Sequence, residues 1–343
     1  MEQGHIHSKD VKSRLSGLLP AIMLCCLVLA ACSGNDEDGD AGGGILQMGS
    51  CLTRAADMSL VDGTRLTFFL ANGNASSRFT FSYNDESDSW TTSATTNEGT
   101  TYYIYGYMPA GNVASASISP LAGDYSNGAE LTLNGLDPVS QQEVCIVTGV
   151  KGGADVRLES DITEWSYQYK GQAVGANYVN LLLGHIYAAL TLNITVNEDY
   201  TKLRTIKLKE VRVQSSSAAK VNVRISQGAN TAPVLNFTTT DATADIPQLM
   251  TSTAGEELSV TEPVTAGCYL LPCLTGLTLS CTYDVYDKKG VLLRENCKSE
   301  NNLQRYVNMT AGARTTLNLT VNPTYLYILS DNDLNNPTIN ITE

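Results

Sequence analysis

Residues 277–294 read LTLSCTYDVYDKKGVLLR, and this stretch indicates the fold class most directly. Apolar and polar side chains alternate through 277–286, which is the period of a strand with one buried face. Asp287 and Val291 then flank a three-residue loop, Lys288-Lys289-Gly290. Glycine supplies the left-handed conformation that such loops need at their last position. The stretch therefore predicts a β-hairpin.

Similar strand-forming runs, separated by turn-forming residues, continue through most of the chain. Short runs rich in Thr, Val, Tyr, Leu and Ile alternate with clusters of Gly, Asn, Asp and Ser, and no long run has the 3.6-residue period of a helix. Only the first half of 180–196 is compatible with a brief helix. The sequence predicts an all-β protein built from antiparallel β-sandwiches. Its expected strands are 65–70, 77–83, 101–107, 188–196, 203–213, 221–225, 268–271, 277–286, 291–294, 315–321, 325–329 and 338–342.

The first residues have the composition of a secretory signal peptide. Three basic residues precede an apolar run of about 14 residues, shorter than the roughly 20 that a helix needs to cross a bilayer. The run ends in LAAC at 29–32. One interpretation is a simple signal cut after Ala31. We favour a bacterial lipobox, in which the sulfur of Cys32 is acylated and Cys32 becomes the mature N-terminus. Acyl chains contribute about 0.8 kcal/mol per buried methylene, so two or three chains anchor a protein stably.

Length and composition divide the chain further. Residues 1–31 are the expected lipoprotein signal peptide, and 32–50 read as a flexible tether rich in Asp, Glu and Gly. The remaining residues exceed one usual domain, and the chain's 43% hydrophobic content is enough for real cores. We expect an N-terminal sandwich over 51–197 and a C-terminal sandwich over 198–343. A boundary near residue 166 is the alternative.

Charge and motifs exclude several function classes. A formal net charge of −13 disfavours binding to nucleic acid and electrostatic adhesion to anionic lipid. The chain contains no phosphate-binding glycine loop, no His-Glu-x-x-His and no Gly-x-Ser-x-Gly. His185 lies inside an apolar run and is expected to be a buried, hydrogen-bonded side chain rather than a catalytic base. We therefore predict that the protein is not an enzyme and has no cofactor and no metal site.

Six cysteines follow the expected lipidation site, and two of them lie on the predicted hairpin. With a three-residue loop, Cys281 lies opposite Cys297. Opposed Cβ atoms on antiparallel strands are about 4.5–5.5 Å apart, near the roughly 3.5–4.5 Å of a disulfide. Export permits oxidation, so a disulfide is possible here. The alternatives are two free thiols packed as small core residues, or a two-residue loop that places Asn296 opposite Cys281.

A tyrosine stripe at 101–107 has two interpretations. Tyr103, Tyr105 and Tyr107 share one face of the expected strand. They could form a sugar-stacking platform together with Trp90 and Trp165. The interpretation we favour is an ordinary, half-buried sheet face.

Taken together, these segments resemble the fimbrillin family, the lipoprotein-precursor pilins of Bacteroidetes. Each motif is short, and their order along nearly the whole chain carries the resemblance. After the lipobox and the acidic tether, the matching segments are LTRAA at 52–56, YYIYGYMP at 102–109, LGHIYAALTL at 183–192, YDVYDKKG at 283–290 and AGARTTLNLTV at 311–321.

The resemblance implies two tandem transthyretin-like β-sandwich domains and export to the outer membrane through a lipid anchor. It implies that an arginine-directed protease removes the leading strand and leaves a groove that a neighbouring subunit's C-terminal strand fills. Arg54 matches the cleavage position, with Ala55 as the new N-terminus, and Arg65 is a poorer candidate because it lies in an expected strand. The last segment, 335–343, is polar and lacks the family's terminal aromatic residue.

Two function classes follow. The first is a structural subunit of a cell-surface fimbrium that supports adhesion, with other pilus subunits as partners through strand exchange. The second is an outer-membrane surface lipoprotein that binds glycans on its aromatic side chains.

Overall fold

The computed structural model describes residues 44–53, 60–154, 159–215, 220–240, 248–322 and 338–342. The expected signal peptide, the expected lipidation site Cys32, most of the expected tether and the expected cleavage site Arg54–Ala55 lie outside the described residues, as does the expected strand 325–329. Within the described part of the chain, no helix is long and apolar enough to cross a membrane.

The described residues are almost entirely strands and connecting turns. The one α-helix in this part of the chain is α1, Glu198–Thr201. In chain order the strands are β1 Gly44–Ile45, β2 Gln47–Thr53, β3 Arg65–Asn72, β4 Ala75–Asn84, β5 Ser89–Thr91, β6 Thr95–Thr96, β7 Thr101–Met108, β8 Ser115–Pro120, β9 Gly128–Leu136, β10 Val139–Ser140, β11 Cys145–Gly152, β12 Gln168–Lys170, β13 Tyr178–His185, β14 Ala188–Val196, β15 Arg204–Gln214, β16 Lys220–Gly228, β17 Val234–Thr240, β18 Gln248–Glu257, β19 Val264–Leu270, β20 Thr278–Asp287, β21 Leu292–Asn302, β22 Arg314–Asn322 and β23 Thr338–Thr342. Turns of 3-10 helix lie at Ala110–Asn112, Leu121–Gly123, Tyr125–Asn127 and Glu159–Asp161.

The predicted all-β class is confirmed for the described residues. β14 alternates buried and partly exposed residues from end to end, as its sequence predicts. The apolar segment before it is strand β13 and not a brief helix. Five consecutive residues of β13, from Val179 to Leu183, are buried, so both faces of this strand are covered. A strand covered on both faces reads as a continuous apolar run and shows no alternation.

The largest sheet has eight strands in the order β2-β13-β11-β7-β3-β4-β5, with β12 paired to β7. Its core includes the stacked rings of Phe68 and Phe81, whose centroids lie 4.6 Å apart. Gly106 lies where β7 passes β3, and a Cβ atom at this position would come within 2.6 Å of the carbonyl oxygen of Thr67. Glycine is therefore required for the two backbones to approach this closely.

The other strands form one five-stranded sheet, β10-β19-β14-β22-β23, two four-stranded sheets, β18-β15-β20-β21 and β17-β16-β9-β8, and the pair β1-β6. Two of these sheets contain strands from both sides of residue 197, and all described residues belong to one compact unit. The chain leaves the eight-stranded sheet after His185 and enters the five-stranded sheet at Ala188. The predicted boundary at 197 thus does not coincide with the change of sheet, and the division into 51–197 and 198–343 stays a prediction.

The hairpin predicted at 277–294 is present as β20 and β21. Asp287 N–H donates to the carbonyl of Val291 at 2.9 Å, and Gly290 has a φ of 81°. The three-residue loop and its glycine conformation are as predicted.

The register beyond this loop differs from the prediction. Two irregularities add residues to β21, so Cys281 pairs with Ser299 and Cys297 pairs with Tyr283. The predicted register that opposed Cys281 to Cys297 is therefore wrong, and both are free, buried thiols in the structure. The two cysteines are instead diagonal neighbours, and such residues have Cα atoms about 7–8 Å apart.

Candidate functional site

The leading strand β2 forms one edge of the eight-stranded sheet. It runs parallel to β13, with Gln47 opposite Tyr178 and Thr53 opposite Leu183, and β13 is the one described strand that pairs with it. The pairing shifts by one residue at Gly49, between Met48 opposite Val179 and Ser50 opposite Asn180. A parallel strand at the edge of an otherwise antiparallel sheet is held by slanted, slightly weaker hydrogen bonds.

The leading segment also completes a hydrophobic core. Leu46 is 1% exposed and Met48 is buried beside it, in the same cluster as Val179 and Leu181 of β13. Leu46 N–H donates to the carbonyl of Ala94 at 2.8 Å. Residues 44–53 therefore provide both backbone pairing and apolar cover to the sheet edge.

Two buried asparagines of the β13 region contact the leading segment. Asn177 donates from Nδ2 to the carbonyl of Gly44 at 2.8 Å. Asn180 accepts from Ser50 Oγ at 2.9 Å, and its Nδ2 donates to the carbonyls of Lys151 and Gly153. Buried amides need such partners, because an unpaired polar group away from water costs about 1–3 kcal/mol. Sequence analysis missed both asparagines, although two Asn residues in an apolar run are a usable signal.

Asn180 also restricts the residue that faces it. A Cβ atom at Gly49 would lie 2.6 Å from Asn180 Oδ1, which is too close without a shift. The edge of β13 therefore accommodates a strand with a small residue at this position. Of the predicted cleavage site, the structure describes the neighbouring positions: β2 ends at Thr53, immediately before Arg54, and the next strand, β3, begins at Arg65.

The C-terminal strand β23 is the edge of a different sheet. Its backbone pairs antiparallel with β22, from Asn318 opposite Thr342 to Asn322 opposite Thr338. The strand predicted at 338–342 is thus present.

The aromatic residues of the glycan hypothesis do not form one surface. Tyr105 and Tyr107 are buried, and the Tyr105 ring stacks on Tyr167 with centroids 4.7 Å apart. Burial raises the pKa of the Tyr105 hydroxyl well above its usual range. Trp90 packs against the core below the eight-stranded sheet, whereas Trp165 packs against the separate cluster of Tyr105. The stripe belongs to a sheet strand, as the favoured interpretation predicts, but Tyr105 and Tyr107 are fully buried rather than half-buried.

His185 has the environment that its sequence predicts. Its side chain is 8% exposed, and Nδ1 lies 2.6 Å from Glu143 Oε1. Cys145 Sγ lies 3.6 Å from the same nitrogen. Sequence analysis did not bring these three residues together, because Glu143 and Cys145 lie far from His185 along the chain.

Comparison with solved structures finds matches of low sequence identity and low TM-score. No protein-family model and no curated protein matches the chain. A candidate cell adhesion protein from Bacteroides uniformis is 12% identical with a TM-score of 0.42, over 88% of this chain and 96% of that one. A fimbrial protein from Bacteroides vulgatus is 11% identical with a TM-score of 0.39, and the match covers 88% of this chain and 98% of that protein. The fimbrial anchor protein Mfa2 from Porphyromonas gingivalis is 11% identical with a TM-score of 0.33, and the match covers 88% of this chain and 95% of that protein.

Proposed function

We propose that this protein is a structural subunit of a cell-surface fimbrium, exported as a lipoprotein, cleaved after Arg54 and assembled by strand exchange. The observation that carries the proposal is the position of β2. It is an edge strand that ends one residue before the arginine and fills a groove lined by β13. The two transthyretin-like sandwiches and the donor role of the C-terminal strand, both implied by the resemblance, belong to this proposal.

Removal of residues 44–53 would have two physical consequences. The edge of β13 would lose its backbone partners, and the apolar cluster around Val179 would lose Leu46 and Met48. An exposed strand edge is a template for another strand, and an added strand restores backbone hydrogen bonds and apolar cover together. A head-to-tail contact of this kind that does not close produces a filament.

An arginine-specific protease tests the cleavage step on the purified full chain. The wild type is expected to gain Ala55 as its N-terminus and to form a ladder of polymers on a denaturing gel. Arg54→Ala is expected to remain a monomer with β2 in place. Arg65→Ala is the matched control, because Arg65 is exposed but lies at the start of β3, and it should polymerise as the wild type does. Polymerisation of Arg54→Ala at the wild-type rate contradicts the proposal.

The lipid anchor is tested separately. Cys32→Ala is expected to abolish acylation, which is measured by mass spectrometry of the N-terminal peptide, and to shift the protein from the membrane fraction to the soluble fraction. Unchanged partitioning of this variant argues against lipidation at Cys32 without affecting the cleavage experiment.

A further inference from the structure

The fold brings three chemically active side chains together from distant positions. Cys145 is the first residue of β11 and His185 is the last residue of β13, and these antiparallel strands place the two residues directly opposite each other. Glu143 lies two residues before the start of β11. Their potential ligand atoms all lie within 4.8 Å of one another.

We propose that Glu143, Cys145 and His185 bind a zinc ion. Thiolate, imidazole and carboxylate are the ligands that zinc takes in proteins, with Zn–S near 2.3 Å and Zn–N near 2.0–2.1 Å. In a tetrahedral site these bond lengths separate sulfur and nitrogen by roughly 3.5 Å. The observed distance between Cys145 Sγ and His185 Nδ1 is 3.6 Å. This pair is already spaced for one shared ion.

Glu143 is the ligand that has to move. Its Oε1 lies 2.6 Å from His185 Nδ1, a hydrogen-bond distance, whereas two ligands of one tetrahedral zinc are roughly 3.3 Å apart. The side chain is 16% exposed and has three rotatable bonds, so a shift of under about 1 Å needs no backbone change.

The orientation of the imidazole decides which of its nitrogens can bind the ion. His185 Nε2 is buried and has no hydrogen-bond partner among the described atoms. The ring is therefore held through Nδ1, the atom that faces Glu143 and Cys145. In the zinc-bound form Nδ1 is the ligand and the proton resides on Nε2, where it has no acceptor among the described atoms, so the Zn–N bond has to outweigh the cost of this unpaired N–H.

Charge balance is favourable for a buried ion. Zinc binds cysteine as the thiolate, so the Cys145 thiol has to lose its proton when the ion binds. Zinc binding displaces this proton as H⁺ and forms the S–Zn bond. The two charges of Zn²⁺ are then neutralised by one thiolate and one carboxylate, which avoids an uncompensated charge in the interior.

The site lies where the chain passes twice between the same two sheets. Glu143 lies in the connection from β10 to β11, and His185 begins the connection from β13 to β14. In both cases one strand belongs to the five-stranded sheet and the other to the eight-stranded sheet. A zinc ion would therefore join the two crossovers and stabilise the junction, a role independent of the proposed assembly.

Metal analysis of the purified full chain tests the site. After treatment with a chelator, loading with zinc and dialysis, the wild type is expected to retain about one zinc per chain. Cys145→Ser and His185→Gln are expected to retain at least tenfold less. Cys281→Ser is the matched control, a buried cysteine on another sheet, and should retain zinc as the wild type does. Equal zinc in Cys145→Ser and wild type overturns the proposal.

A second measurement needs no variant. Cobalt replaces zinc in such sites, and a bound thiolate produces an intense near-ultraviolet charge-transfer band. Addition of cobalt to the wild-type chain is expected to produce this band, and excess zinc is expected to remove it. The absence of the band in folded wild-type protein overturns the proposal even if the Cys145 and His185 variants fail to fold.

Discussion

The Asp284 side chain accepts a hydrogen bond from the backbone N–H of Asn296 at 2.7 Å. Asp284 lies opposite the extra residue that β21 carries between Arg294 and Cys297. Asn296 has a φ of 53°, a left-handed conformation that asparagine tolerates better than most residues. Lys209 Nζ approaches both side chains, at 3.4 Å from Asp284 Oδ2 and 2.8 Å from Asn296 Oδ1. This contact stabilises one of the two irregularities that together move Cys297 out of register with Cys281.

Asp284→Ala is expected to lower the free energy of unfolding by about 1–3 kcal/mol, because the Asn296 N–H loses its acceptor. Asp284→Asn retains an acceptor oxygen and should lose less. Urea denaturation of the full chain measures both. Glu295→Ala, at an exposed neighbour in the same bulge, is the control and should change stability by less than about 0.5 kcal/mol. If Asp284→Ala behaves like this control, the hydrogen bond does not stabilise the bulge.

Leu46 and Ile45 form a matched pair for the leading segment. Leu46 is 1% exposed, whereas Ile45 is 59% exposed. Leu46→Ala is expected to cost about 2–5 kcal/mol because it removes buried methyl groups and leaves a cavity. Ile45→Ala is expected to cost less than about 0.5 kcal/mol. Thermal unfolding of the uncleaved chain compares them, and equal melting temperatures would show that the leading segment does not pack on the core.

Cys281 and Cys297 are expected to be reduced. In the denatured protein, without a reductant, a thiol reagent should label both residues, as peptide mass spectrometry can detect. In the native protein at neutral pH both should be protected, because burial raises the pKa of Cys281 to about 12 and removes it from solvent. A peptide pair joined through these two cysteines would restore the disulfide hypothesis.

Alkaline pH is expected to destabilise the fold. Burial raises the pKa of Cys281 from 9.0 to about 12 and that of Tyr200 from 10.0 to about 12. The unfolded chain therefore loses these protons at lower pH than the folded chain does, so the stabilisation is complete below about pH 8.5 and is lost as pH rises towards 12. Urea midpoints measured between pH 7 and pH 11 should fall only in the upper part of this range.

Tyr200→Phe provides the comparison for this pH effect. This substitution removes one titrating group. With each protein's stability expressed relative to its own value at pH 7, the stability of Tyr200→Phe should fall less steeply with rising pH than that of the wild type. Parallel curves for the two proteins would mean that Tyr200 does not contribute to the alkaline loss.

Features that depend only on residues adjacent in the chain could be predicted from the sequence. The all-β class, the alternation of β14 and the loop ending in Gly290 are all present in the structure. Each follows from a period of two residues or from the conformational freedom of one glycine, and neither depends on distant partners.

Apart from the predicted hairpin of β20 and β21, the local sequence pattern does not specify which strands are neighbours. Two features join residues that are distant in sequence: the parallel pairing of β2 with β13, and the contact between Cys145 and His185. A third feature, the bulge opposite Asp284, depends on a side-chain contact across strands. One added residue moves every later side chain of a strand to a new partner, so local pattern cannot specify register beyond a bulge. The physical reason is that strand pairing is a contact between segments, and its energy resides in neither segment alone.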